Sequence, residues 1–153
     1  MTANRLILPA PLLEIVERAA EQAYPEESCG LLAGHADETG CVVVTRVRPS
    51  ANVAAGDRRA AFEVDPAVRF ALMREIENTG ERIVGHYHSH PGHAPEPSAR
   101  DLAMAFEPDF IWLITQVADG RAGTSRAFAV AADGSRFLPI VLAAGSKDRG
   151  DAS

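Results

Sequence analysis

The chain has 153 residues, 46% of them hydrophobic and 24% charged, with a formal net charge of −6. These values describe one ordinary globular domain and exclude disordered and fibrous classes; no stretch approaches the roughly 20 apolar residues a membrane span needs. The acidic balance argues against a sequence-independent grip on nucleic acid, and two cysteines without CxxC spacing fit a reducing cytoplasm better than a disulfide scaffold.

The apolar run at residues 6–8 is cut short by Pro9 and Pro11 and is too brief for a signal-peptide core. Pro11 suits the first turn of a helix, with Leu12, Ile15, Val16, Ala19 and Ala23 as its apolar stripe and Pro25 as its stop. A buried strand follows over residues 26–34, with Glu27 at its start, and a second over residues 41–47 pairs with it through a turn. Residues 50–59 read as a flexible polar stretch and residues 60–64 as a short strand. Asp65-Pro66 then caps a helix whose stripe is Val68, Ala71, Leu72 and Ile76 and whose end is Gly80.

Residues 82–90 form a central strand that delivers histidines at its C-terminal end. A helix over residues 98–105 and strands over 110–117, 126–131 and 137–142 complete the order. This alternation predicts an α/β fold with a mixed sheet and helices on its faces. One domain is expected over residues 1–144, with a flexible polar tail at 145–153.

The chemistry concentrates at His88-Ser89-His90-Pro91 and, six residues later, at Ser98-x-x-Asp101. Side chains two apart on a strand share a face, so His88 and His90 can converge on one point. Asp101, one turn into the next helix, can return its carboxylate there. Two imidazoles, a carboxylate and an open fourth position suit catalytic zinc. Each half also has a structural reading: paired histidines on a strand are often simply packed, and Ser98-x-x-Asp101 is a capping-box pattern. His86 shares the same strand parity, so a three-histidine site with Asp101 in support is equally open on geometry alone.

Taken together, this string resembles the JAMM motif of the MPN-plus metalloproteases in every defined position. Glu27-Ser28-Cys29-Gly30 is similar to the segment that carries the catalytic glutamate in these enzymes, and Asn52 through Phe62 to Asp65-Pro66 resembles the connecting stretch of the compact bacterial members, so the resemblance extends over roughly residues 12–142. It implies the JAMM fold, an α/β/α sandwich related to the cytidine deaminases. It implies that His88, His90 and Asp101 bind Zn2+, with a water as the fourth ligand. It assigns Glu27 as general base and then general acid, and Ser98 as the hydroxyl that helps hold the oxyanion. The family does not use the position of His86 as a ligand, which leaves that residue a structural or supporting role. Cys29 is expected to be a packed small residue, His35 and His93 to face solvent, and Ser89 to hold the loop by hydrogen bonds.

The implied reaction is hydrolysis of a peptide or isopeptide bond after the Gly-Gly tail of a ubiquitin-like or sulfur-carrier protein. The short loop before Ser98 favours a small bacterial-type carrier over polyubiquitin. Such a tail would add as a strand to an exposed sheet edge, and Arg58 with Arg59 could offer a local basic patch. The alternatives are a non-catalytic MPN scaffold for protein assembly, or a JAMM peptidase with another peptide substrate. Nucleoside deamination would need His-x-Glu and Pro-Cys-x-x-Cys strings, and neither is present.

Overall fold

The computed structural model describes residues 2–144; the expected tail at 145–153 lies outside them. In chain order the elements are β1 (Arg5–Ile7), α1 (Ala10–Ala23), β2 (Cys29–Ala36), β3 (Cys41–Ser50), α2 (Pro66–Glu75), β4 (Arg82–Pro91), α3 (Ala99–Ala103), β5 (Ile111–Ala118), β6 (Arg121–Val130) and β7 (Phe137–Ala143). No helix among the described residues is long and apolar enough to cross a membrane.

The sheet is mixed, as the element order predicts. It also closes on itself, with strand order β1-β3-β2-β4-β5-β6-β7. Closure is the work of the apolar run at residues 6–8: β1 pairs in parallel with β3 on one side and β7 on the other, and Leu6 and Leu8 are fully buried. A three-residue strand is too short to show periodicity, which is why this one is invisible in the sequence. Closure is partial along the strands: β1 covers only residues 41–43 of β3 and β7 only residues 127–130 of β6, so residues 44–50 and 121–126 keep one edge without a strand partner.

Helices lie against both faces. Val16 of α1, with Leu12, Leu13 and Ala19, packs on Leu32, Val84, Tyr87, Ile111 and Leu113. Leu72 of α2 and the adjoining Ile76 pack on Leu31 and Ala33, so β2 is covered on both sides and reads as a continuous apolar run. The α1 stripe is rotated from the expected one: Ile15 is 38% exposed, and Ala20 is buried instead.

The expected strand at residues 60–64 reduces to one isolated bridge, Asn52 to Val64. The Asn52 side chain takes over the pairing a ladder would supply: its Nδ2 donates to the carbonyls of Glu27 (3.1 Å) and Ala61 (2.9 Å), and its Oδ1 accepts from Ala54 and Glu63. The polar stretch before it is therefore pinned to the body. Asp65 caps α2 as expected, accepting from the Ala67 amide at 2.9 Å. Strand β6 begins five residues earlier than expected, because Asp119 and Gly120 both take positive φ (52° and 77°) and turn β5 directly into it.

Strand β4 sits at the centre, antiparallel to β2 and parallel to β5. At Gly85 the backbone of β5 comes so close that a methyl group would overlap the Ile111 carbonyl. The crossover from β4 to β5 carries the loop after Pro91 and α3, so both halves of the motif meet at the C-terminal ends of parallel strands.

Candidate metal centre

His88 stands between Cys29 of β2 and Ile114 of β5, and His90 follows on the same face opposite Gln116. Their Nε2 atoms are 2.9 Å apart. Asp101 is the third residue of α3, and its Oδ2 lies 3.4 Å from His88 Nε2 and 3.2 Å from His90 Nε2. Among the described residues these three form one group whose ligand atoms all fall within 4.8 Å of one another, and all three residues are buried.

The capping reading and the site reading of Ser98-x-x-Asp101 hold at once. Ser98 Oγ accepts from the Asp101 amide at 3.0 Å, and the Ser98 amide donates to Asp101 Oδ2 at 2.9 Å. The cap thus fixes the carboxylate that meets the imidazoles. His90 Nδ1 lies 2.9 Å from the Ala94 carbonyl, which can only accept, so Nδ1 carries the proton and the Nε2 lone pair faces the group. Two imidazole nitrogens and a carboxylate oxygen, buried and converging, fit a zinc ion with an open position.

The electrostatics fit the same use. Burial pushes the Asp101 carboxyl up, but hydrogen bonds from His88 and His90 and from the Ser98 amide outweigh it and hold the group well below the usual carboxylate range. Burial lowers His88 below its ordinary value. At His90 burial acts in the same direction, yet the bonds to Asp101 and Ala94 prevail and raise it.

Glu27 is 7% exposed and sits just before β2, where the neighbouring Ser28 amide donates to Ser89 Oγ at 2.7 Å. Its own amide donates to the Arg58 carbonyl, and Asn52 holds its carbonyl. Burial pushes its carboxyl up to about 8, with His90 pulling it back and Asp101 adding to it. Cys29, two residues on, pairs with His88, so Glu27 enters β2 alongside the histidine-bearing end of β4.

His86 lies apart, half-buried in an aromatic cage, its ring centroid 4.3 Å from Trp112, 5.5 Å from Phe62 and 5.6 Å from Phe110. Burial in that cage pushes its imidazole down to about 3. Cys29 Sγ faces the carbonyls of Ala51 and Glu63, both at 3.7 Å, and burial pushes the thiol up to about 12. His35 and His93 are exposed. Arg58 pairs with Glu26 and Arg59 with Asp57, so neither offers an unpaired basic patch.

Sequence reasoning missed the roles of Asn52, Phe62 and the Ala94 carbonyl. Phe62 stacks on His88 at 4.2 Å and 16°, and forms a wall of a cleft of about 280 Å³ with His86, Phe110 and Trp112. Across that cleft Arg69 makes a two-pronged bond to Glu107 at 3.0 and 2.8 Å. The roles of Asn52 and Phe62 leave no local mark because their partners are distant in sequence, and Ala94, four residues from His90, acts through a backbone carbonyl that no residue type signals.

Comparison with known proteins agrees with the site. Residues 9–130 match the family described as prokaryotic homologs of the JAB domain. The chain is 42% identical over 125 residues to a desampylase of Haloferax volcanii, covering 79% of this chain and 86% of that protein. It is 28% identical over 130 residues to a CysO-cysteine peptidase of Mycobacterium tuberculosis, covering 84% of this chain and 85% of the other. A solution structure of a Desulfitobacterium hafniense protein superposes with a TM-score of 0.74 at 30% identity, covering 90% of this chain and 92% of that one. On this motif, this fold and these relatives, the chain belongs to the prokaryotic JAB-domain family and is a hydrolase of the JAMM type.

Proposed function

We propose that this protein is a zinc-dependent peptidase that cleaves the peptide or isopeptide bond after the C-terminal Gly-Gly tail of a ubiquitin-like or sulfur-carrier protein. The observation that carries the reading is the convergence of His88, His90 and Asp101 in one buried group, with Glu27 entering β2 alongside the histidine-bearing end of β4. Zinc held by those three residues supplies Lewis-acid polarisation of the scissile carbonyl and acidification of a water.

The remaining steps belong to the chain's own residues. Glu27 takes a proton from the attacking water and returns it to the leaving nitrogen, a general-base and then general-acid role. Ser98 is exposed, and its oxygen serves the cap as an acceptor, so its O–H is free to donate to the developing oxyanion. Asn52 and the Arg58 carbonyl hold Glu27 in place.

The substrate class follows from the relatives named as a desampylase and a CysO-cysteine peptidase. The layering of helices on both sheet faces supports the α/β/α, deaminase-related description of the fold. Free Cys29 and Cys41 support a cytoplasmic location. The test is mass spectrometry of small ubiquitin-like carriers with C-terminal extensions after incubation with the protein. Release of the extension directly after Gly-Gly is expected; intact carriers, alongside cleavage of unrelated peptides, would assign another substrate.

A further inference from the structure

We infer that Phe62 is the positioning residue for His88, doing by ring stacking what a hydrogen bond does for His90. This rests on the ligand assignment proposed above.

The two imidazoles are supported unequally. A ligating histidine ordinarily donates its second ring N–H to a carbonyl or carboxylate, which fixes both tautomer and orientation. His90 follows this rule through Ala94. His88 does not: its Nδ1 is buried and has no hydrogen-bond partner among the described residues. Apart from Asp101 at its Nε2, what touches its ring is aromatic. Phe62 lies face to face at 4.2 Å and 16°, and Trp112 meets it edge-on at 5.7 Å and 86°. Rotating His88 out of the group would break the stacked face, so its aim is set by packing.

Phe62 is itself held. The carbonyl before it, on Ala61, and the amide after it, on Glu63, both bond to the Asn52 side chain, at 2.9 and 3.1 Å. The same Asn52 Nδ2 bonds the Glu27 carbonyl. One asparagine therefore anchors both the ring that aims a ligand and the strand entrance that carries the base. The second support gives the segment from Asn52 to Phe62 a purpose beyond connecting β3 to α2.

The experiment is zinc affinity of the metal-stripped full chain by chelator competition, with the visible absorption spectrum of the Co2+-substituted protein as a second readout. Phe62→Leu is expected to weaken zinc binding by about 10- to 100-fold, the cost of losing an outer-shell support, and to alter the cobalt bands. Phe62→Tyr, which restores the stacked ring, is expected to recover wild-type affinity and spectrum. Phe106→Leu, at a residue 77% exposed, is expected to change neither. If circular dichroism shows that Phe62→Leu does not fold, Phe62→Met takes its place under the same criteria. Wild-type affinity and spectrum in the ring-less variant would overturn the inference, as would failure of a folded Phe62→Tyr protein to recover. A wild-type chain that takes up no metal would overturn the proposed function and the role of Phe62 with it.

Discussion

Replacing Glu27 with glutamine should stabilise the metal-stripped protein at neutral pH while removing turnover. The carboxyl is nearly enclosed, and its Oε1 has no hydrogen-bond partner. Burial raises it from 4.5 to about 8; Asp101 adds to the rise, while His90 and Arg100 oppose it. Between those values the unfolded chain has released the proton and the folded chain still holds it, so folding takes up a proton. The stability this group contributes is therefore full below 4.5 and declines as pH rises to about 8. The shift sets a ceiling of roughly 3 kcal/mol at pH 7, and water reaching the cleft reduces this to about 1–2 kcal/mol. Glutamine has the same shape and no charge to bury. In urea unfolding of chelator-treated proteins, the gap between Glu27→Gln and wild type should be near zero below 4.5, open with rising pH and level off above about 8. The same substitution should lower kcat by about 10²- to 10⁴-fold, the share of a general acid–base group. A gap that stays constant with pH, or a variant less stable than wild type at neutrality, would refute the reasoning.

Two further substitutions test the framework that holds the site. Gly85→Ala forces a methyl into the Ile111 carbonyl, and denaturant midpoints should show a loss of about 1–3 kcal/mol or more; an unchanged midpoint would mean that β4 and β5 are not in such close approach. Asn52→Ala removes five hydrogen bonds that tie residues 52–63 together and to Glu27, and should cost about 2–4 kcal/mol. Its kinetic effect should fall on kcat more than KM, because Glu27 loses its tether; a loss confined to KM would assign the loop to substrate binding.

What could be read from the sequence follows the range of the interactions. His88, His90, Ser98 and Asp101 lie within one strand-to-helix crossover, where period-two alternation and a capping pattern are local signals, and the structure brings all four together. Glu27 could be singled out from Glu26 only by resemblance, because its neighbourhood to His90 depends on β2 lying beside β4. Asn52 and Phe62 stood only within a connecting stretch that resembles the family, and their roles had no local signal: their partners, Glu27 and His88, lie across the fold. Asn52 also explains the misread strand at residues 60–64, where a side chain replaces a ladder. The closure through Leu6 and Leu8 was hidden for a different reason, since three residues between a start and two prolines carry no period.

The central claim is that His88, His90 and Asp101 bind the ion on which hydrolysis depends. Its most direct measurement is zinc titration of the metal-stripped protein, following cleavage of an extended ubiquitin-like carrier, with His88→Ala and Asp101→Ala in parallel. Cleavage should vanish on stripping, return with a break at about one zinc per chain, and not return in either variant. Full cleavage by the stripped protein, or stoichiometric zinc uptake by both variants, would contradict the account.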